Sequence, residues 1–262
     1  MESSQSSGLL YHEVQEARLC AVHCLNAVLQ GPFFSEVELG TIAKELDDRE
    51  REVMRARGEQ TTDYLRYISE GSSNVALDGN FSIQVVEKAL GALDLKCVSL
   101  EAPEAEEARA APHNQNAFIC NLQEHWFAIR KVSNEWYNFN SLYAAPEHLS
   151  NFYLSAYLDS LKENGWSIFV VVGELPNASL LRNSDSDSRF GRWLTPQQAS
   201  ALLESANEAE QRADPSLEAA LAASLADYSG FPQSPGFSDQ DSSELAAALA
   251  ASLADVRPPL KE

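Results

Sequence analysis

Three short apolar segments joined by tight turns constrain the fold of this chain more than any other part of its sequence. They lie within residues 117–142, and the turns are Gln123-Glu124 and Ser133-Asn134. Each segment has the length and the β-branched or aromatic content of a strand. Consecutive strands with such short connections can pair only antiparallel. The sequence therefore predicts an antiparallel meander.

Helical patterns flank this meander. Apolar residues recur at helical spacing from Leu19 to Leu29, and Gly31 stands where a left-handed residue is expected to end the helix. Ser82 is placed to cap a further helix. Residues 166–172 are apolar on both faces, which predicts a strand inside the sheet. Helices packed on an antiparallel sheet define an α+β fold.

Charge and composition exclude several classes of function. The chain has 39 acidic and 19 basic residues, a net charge of -20, which disfavours binding to nucleic acid or to anionic membranes. The longest apolar run, 167–172, is far shorter than the ~20 residues that span a bilayer. Residues 1–8 lack the features of a signal peptide and are expected to form a disordered tail. A soluble protein is expected, by default in the cytoplasm.

Cys20 is the candidate nucleophile. It stands where an irregular approach becomes an apolar helix, and the unpaired N–H groups of a helix start stabilise a thiolate. Cys20 could instead be a small core residue, as most intracellular cysteines are. A zinc site formed with His23 and Cys24 would lack a second, distant pair of ligands. No metal and no cofactor are expected.

A thiol nucleophile needs a base, and His125 is the best placed of five histidines. It begins a predicted strand directly after a turn, beside Trp126, which could shield it from water. Asn138 or Asn140 could orient the imidazole, and their spacing does not decide between them. Gln15 could donate its side-chain amide to a developing oxyanion.

An eleven-residue sequence occurs twice near the C-terminus, at residues 217–227 and 245–255, with one difference. Each copy predicts a helix with a narrow stripe of Leu, Ala, Leu and Ser. A small Ala between two Leu lets such a helix approach a flat apolar partner closely. Alternatively, the two helices could dock on the chain itself or on each other. The stripe residues are Leu217, Ala220, Leu221 and Ser224 in the first copy and Leu245, Ala248, Leu249 and Ser252 in the second.

Several ordered blocks of this sequence resemble the Josephin family of papain-like deubiquitinases. The tail pattern Leu-x-x-Ala-Leu-x-x-Ser is similar to the ubiquitin-interacting motif. The blocks of the catalytic part include Tyr11-His-Glu-Val-Gln15, Leu19-Cys-Ala-Val-His-Cys-Leu-Asn26, Phe118-Ile-Cys-Asn121, Glu124-His-Trp-Phe127 and Trp136-Tyr-Asn-Phe-Asn-Ser-Leu142.

The resemblance implies a role for each candidate residue. It makes Cys20 the nucleophile, His125 the base, Asn140 the orienting residue and Gln15 the oxyanion donor. The charged stretch from Ser35 to Arg57, which opens with a capping box, is similar to the helical hairpin that overhangs the catalytic cleft and helps to hold ubiquitin.

The expected organisation is a catalytic domain followed by short helices on flexible linkers. The ranges are 1–8 tail, 9–178 catalytic domain, 179–213 linker with a short helix, 214–228 first motif, 229–240 linker, 241–256 second motif and 257–262 tail.

The expected function is cysteine-dependent hydrolysis of isopeptide bonds in ubiquitin chains or ubiquitin conjugates. Ubiquitin, polyubiquitin and ubiquitinated proteins are the expected partners. A non-catalytic polyubiquitin-binding adaptor is the alternative. No Arg/Lys cluster follows the second repeat, so recruitment of an AAA ATPase is not expected. Nuclear presence is expected from the resemblance alone.

Overall fold

The predicted meander forms the centre of a six-stranded antiparallel sheet. Both of its tight connections contain residues with positive φ, namely Gln123, Ser133 and Asn134. The strand formed by residues 167–172 has neighbours on both sides, as its apolar sequence predicts. In pairing order the strands are β2 (Lys96–Ser99), β7 (Ser167–Val172), β3 (Ala117–Leu122), β4 (His125–Val132), β5 (Glu135–Phe139) and β6 (Glu147–Leu149).

Helices cover both faces of this sheet, which confirms the α+β class. Alternate side chains of each strand point to opposite faces of the sheet, so the buried apolar residues form two clusters, one on each face. One contains Ile119 and residues of α1 and α4, and the other contains Phe118 and residues of α6. The helices are α1 (Cys20–Leu29), α2 (Glu36–Ala56), α3 (Thr62–Glu70), α4 (Ile83–Gly91), α5 (Glu106–Ala110) and α6 (Asn151–Glu163).

Helix α1 ends at Leu29 as predicted, but its left-handed residue lies one position earlier than Gly31. The left-handed position is occupied by Gln30, with φ 55°, and not by Gly31. The side chain of Gln30 donates to the Ala27 carbonyl at 2.6 Å and accepts from the Tyr11 amide at 3.0 Å. These two bonds offset the strain of a non-glycine residue in this conformation. Gly31 follows and donates to the Asn26 carbonyl, which closes the helix.

The charged arm is one long helix, and a second helix that the sequence did not reveal packs beside it. Ser35 and Glu38 form the predicted capping box. The hairpin expected within residues 35–57 is instead formed by α2 and the following α3. Tyr67 of α3 donates to the backbone carbonyl of Asp47 in α2 at 3.1 Å. The Asp47 carboxylate in turn accepts from Asn74 at 2.8 Å, which ties the arm to the chain that follows α3.

A strand outside the predicted catalytic range completes the fold. β8 (Gly191–Leu194) pairs antiparallel with β1 (Leu10–Glu13) in a separate two-stranded sheet. The helix α7, at 196–209, follows and buries Ala199 in the same cluster as α1. The short helix expected within the linker 179–213 corresponds to α7, whereas the sequence did not predict β8. Its sequence gives little warning, because one short strand after a polar segment has almost no periodicity.

The computed structural model describes residues 8–15, 17–56, 58–76, 79–176 and 191–209. The chain divides into two compact units, Met1–Glu208 and Ala209–Glu262. Both predicted ubiquitin-interacting motifs and most of the N-terminal tail lie outside the described residues. No helix within those ranges is long and apolar enough to cross a bilayer.

Candidate active site

Cys20 is the first residue of α1, as its sequence context predicts. The preceding residue, Leu19, has a side chain that cannot accept a hydrogen bond, so the first N–H groups of the helix are not capped by it. The Cys20 thiol donates to the backbone carbonyl of Glu124 at 3.4 Å. This contact brings the thiol to the residue that directly precedes His125, across a sequence separation of 104 residues.

The structure selects Asn140 over Asn138 as the partner of His125. His125 Nε2 lies 2.9 Å from Asn140 Oδ1, and the Leu142 amide donates to the same oxygen at 3.1 Å. Because a backbone N–H can only donate, it fixes the oxygen of the Asn140 amide toward the ring. Nε2 must then carry a proton, and Nδ1 of the neutral imidazole keeps its lone pair. Asn138 instead donates to Tyr157 at 3.1 Å.

Burial tunes the imidazole toward the neutral form. Desolvation lowers the pKa of His125, while the hydrogen bond to Asn140 raises it by a smaller amount. The net pKa lies below the usual histidine value, so the ring is neutral and able to accept a proton at neutral pH.

The predicted shield of His125 is wrong. Trp126 points to the opposite face of β4, where its Nε1 donates to the Phe81 carbonyl at 3.0 Å. The aromatic rings beside His125 belong to Phe127, stacked at 6.4 Å between centroids, and to Trp166, edge-on at 6.3 Å. Alternation along a strand could have excluded Trp126, but no sequence pattern points to Trp166.

A cavity of about 350 Å³ opens on the Trp126 side of the β3–β4 turn. The cavity is lined by the chain segment between α3 and α4 and by the turn that precedes His125. Residues lining it include Ser72, Ala76, Phe81, Gln123, Trp126 and Phe169.

Gln15 is held beside Asn140 by a residue that sequence reasoning missed. The Ser141 hydroxyl donates to Gln15 Oε1 at 2.7 Å, and the backbone N–H of Gln15 donates to the backbone carbonyl of Ser141 at 3.0 Å. With its oxygen occupied, the Gln15 side chain presents its NH₂ group as the donor. Ser141 adjoins Asn140 in the sequence, but nothing in that adjacency reveals the contact with Gln15.

The remaining thiols are in environments that suppress ionisation. Burial raises the pKa of Cys24 and Cys120, and it raises the pKa of Cys97 to about 12. These three cysteines therefore stay protonated at neutral pH. Of the four cysteines, only Cys20 stands at the start of a helix.

A buried polar network joins the approach segment to the catalytic helix. His23 Nδ1 lies 2.6 Å from Glu13 Oε2, and Asn26 Nδ2 donates to the other oxygen of Glu13 at 3.1 Å. Tyr11 donates to Glu13 at 2.6 Å. His23 therefore pairs with a carboxylate rather than with the neighbouring cysteines. Among the described residues no group of His, Cys, Asp or Glu is arranged to hold a metal ion.

The arrangement is suited to acyl transfer through a thiol. It combines a cysteine at a helix start, a neutral imidazole whose Nε2 is fixed by an amide, and a second amide with free donors.

The site lies within a region shared with known proteins. Residues 15–172 match the Josephin family. An ataxin-3 homolog of Arabidopsis thaliana is 53% identical over 207 residues, which cover 77% of this chain and 73% of the relative. A protein of Oryza sativa subsp. japonica, named as an ataxin-3 homolog, is 48% identical over 265 residues, with 98% and 77% covered. Ataxin-3 of Homo sapiens is 45% identical over 168 residues, 64% of this chain and 46% of the human protein.

We expect Ser141→Ala to slow acyl transfer to Cys20 by about 10-fold, because Gln15 would lose the bond that orients its amide. The test is a double-mutant cycle measured by kcat/KM. In a Gln15→Ala background the Ser141 substitution should have almost no further effect. An equal loss in both backgrounds would show that Ser141 acts through another group.

We expect Asn140→Ala to lower the pKa of His125 further, because the bond that it removes favours the protonated ring. NMR titration of the His125 ring in a Cys20→Ala background measures this without coupling to the thiol. The midpoint should lie below 6.5 in Cys20→Ala and lower still in the double variant. A rise on removing Asn140 would contradict the assigned hydrogen bond.

Proposed function

Because this chain belongs to the Josephin family, a family of deubiquitinases, we propose that it is a cysteine protease that hydrolyses the isopeptide bond after the C-terminal glycine of ubiquitin. One observation supports the proposal above all. The family match spans residues 15–172, and within it hydrogen bonds connect Gln15 to Ser141 and Asn140 to His125, and another brings the Cys20 thiol to the residue before His125.

The chemistry follows from these groups. His125 Nδ1 accepts the proton of the Cys20 thiol, and the thiolate attacks the carbonyl carbon of the scissile bond. The amide of Gln15 and the backbone N–H of Cys20 stabilise the oxyanion. The imidazolium then protonates the leaving lysine amine, and a thioester with Cys20 remains. Water activated by His125 hydrolyses the thioester and restores the thiol. No step requires a cofactor.

The surroundings of His125 are apolar on one side. Phe127 and Trp166 shield that side of the ring from water. Low local polarity there strengthens the hydrogen bond between His125 and Asn140.

The two C-terminal repeats are proposed to bind ubiquitin through their Leu-Ala-Leu-Ser stripes. Seventeen residues, 228–244, separate them. A flexible linker of this length spans roughly 20–25 Å on average, which would let both repeats bind neighbouring units of one ubiquitin chain. Weak single contacts would then combine into selective binding of polyubiquitin.

We expect a ubiquitin probe with a C-terminal electrophile to label the native chain and not Cys20→Ala, since only Cys20 is placed to react. Cys24→Ala is the matched control, because Cys24 lies one turn deeper in α1 and should leave labelling intact. The readout is a mass shift of the protein. Labelling that persists in Cys20→Ala would remove the assignment, and ubiquitin binding without any turnover by the native chain would favour the adaptor.

The labelling and turnover assays should use the full chain and not a fragment. A fragment that ends near residue 180 would lose β8, the pairing partner of β1, which leads directly to Gln15. Inactivity of such a fragment would not separate an adaptor from an enzyme that has lost part of its fold.

We expect Ala220→Arg combined with Ala248→Arg to abolish most binding to tetraubiquitin, because each arginine would block the close approach of its helix to an apolar partner. Ala222→Arg with Ala250→Arg places the same charge on the opposite face of each predicted helix and should preserve binding. Pull-down or calorimetry with linkage-defined chains measures the difference. Equal binding by both pairs would contradict the proposed stripe.

A further inference from the structure

We propose that Arg192, in β8, is a positioning residue for the turn that carries Asn140. This inference deepens the proposed function and rests on it. Arg192 lies beyond residues 15–172 that match the family. Through Arg192, β8 would affect the reaction rate, although no side chain of β8 takes part in the chemistry.

The β1–β8 ladder presents two cationic or potentially cationic side chains to one loop. His12 and Arg192 are directly opposite each other in the ladder. His12 Nε2 lies 2.9 Å from the Tyr143 carbonyl, and a guanidinium N–H of Arg192 donates to the carbonyl of the next residue, Ala144. A cross-strand pair therefore binds two consecutive carbonyls.

Those carbonyls belong to the continuation of the Asn140 turn. The Tyr143 amide donates back to the Asn140 carbonyl at 2.9 Å, and the Leu142 amide donates to Asn140 Oδ1 at 3.1 Å. The position of residues 142–144 is thus transmitted directly to the amide that orients His125. A shift of this segment would change both the backbone and the side chain of Asn140.

Apolar packing does not hold the start of this segment. Leu142 is 59% exposed and Tyr143 is 42% exposed. The first residue to be fully buried is Ala145. Between Asn140 and Ala145 the turn depends on polar contacts, so removing one of them should have a measurable effect.

Arg192 is the stronger of the two donors from the β1–β8 ladder. Burial lowers the pKa of His12 to about 4, so His12 is neutral at neutral pH and makes an uncharged hydrogen bond. Arg192 donates from a guanidinium cation, and charge-assisted hydrogen bonds are roughly twice as strong as neutral ones.

β8 is itself firmly placed, so it can act as a fixed support. The ring of Trp193 lies 5.1 Å from that of Tyr11, and Gly191 lies so close to Tyr11 that a Cβ there would overlap the phenol ring. Thr195 and Gln198 form a reciprocal capping box at the start of α7. Ala199 then anchors α7 in the core.

The experiment compares Arg192→Ala, Arg192→Lys and Arg109→Ala in the full chain. Arg109 is the matched control, because it is also exposed and also donates to loop carbonyls, those of Leu100 and Ala102, in a loop without site residues. Each variant is assayed for kcat and KM on a ubiquitin substrate and for melting temperature. The rate of Cys20 alkylation by iodoacetamide is followed by peptide mass spectrometry, with an added cysteine-containing peptide as internal reference.

We expect Arg192→Ala to lower kcat by about 3- to 30-fold with KM changed by less than about 2-fold, because misplacement of a catalytic group affects the transition state more than binding. Arg192→Lys should restore part of the rate, and Arg109→Ala should resemble the native chain. The pH profile of Cys20 alkylation should shift in Arg192→Ala alone, while the reference peptide reacts unchanged.

Unchanged kcat and alkylation in Arg192→Ala would overturn the inference, as would an equal loss in Arg109→Ala. Failure of the proposed function has a different signature. The native chain would then cleave no ubiquitin substrate, yet the alkylation profile would still report whether Arg192 positions the Asn140 turn.

Discussion

The packing of α1 against β4 is the interaction on which the rest of the structure depends. Contacts at both ends of the helix fix its position along the strand. At the start, the Cys20 thiol binds the Glu124 carbonyl, and near the end, Arg130 Nε donates to the Val28 carbonyl at 3.0 Å. The last turn of α1 has no basic residue of its own, so Arg130 supplies the positive charge that a helix C-terminus favours. Burial lowers the pKa of Arg130 to about 10, which still leaves it protonated.

The sheet contributes the second half of the site by simple geometry. His125 begins β4 and Asn140 directly follows β5. Because these two strands pair antiparallel, both residues lie at the same end of the sheet. The approach segment adds Gln15 through Ser141, and the buried carboxylate of Glu13 ties that segment to α1. Each polar group of the site is thus held by a neighbour from a different element. Such mutual support is the usual basis of preorganised chemistry.

The sequence predicted those parts of the fold that depend on local signals. The meander, the Ser82 cap and the capping box at Ser35 are all present. Features that depend on distant contacts could not be predicted in this way. Gln30 adopts a left-handed conformation because its side chain finds partners in β1 and α1, and Trp166 reaches His125 from another strand boundary. The resemblance, and not the spacing, favoured Asn140, and the hydrogen bond from Leu142 gives the physical reason.

The pairing of β1 with β8 has a consequence for how such proteins are divided into fragments. A polypeptide that stops where the family match ends would leave β1 with a bare row of backbone donors and acceptors. Exposed strand edges of this kind recruit other edges, so the shortened protein would be prone to self-association and poor solubility. Low or variable activity of the shortened protein would then result from the missing partner strand of β1 and not from the thiol chemistry itself.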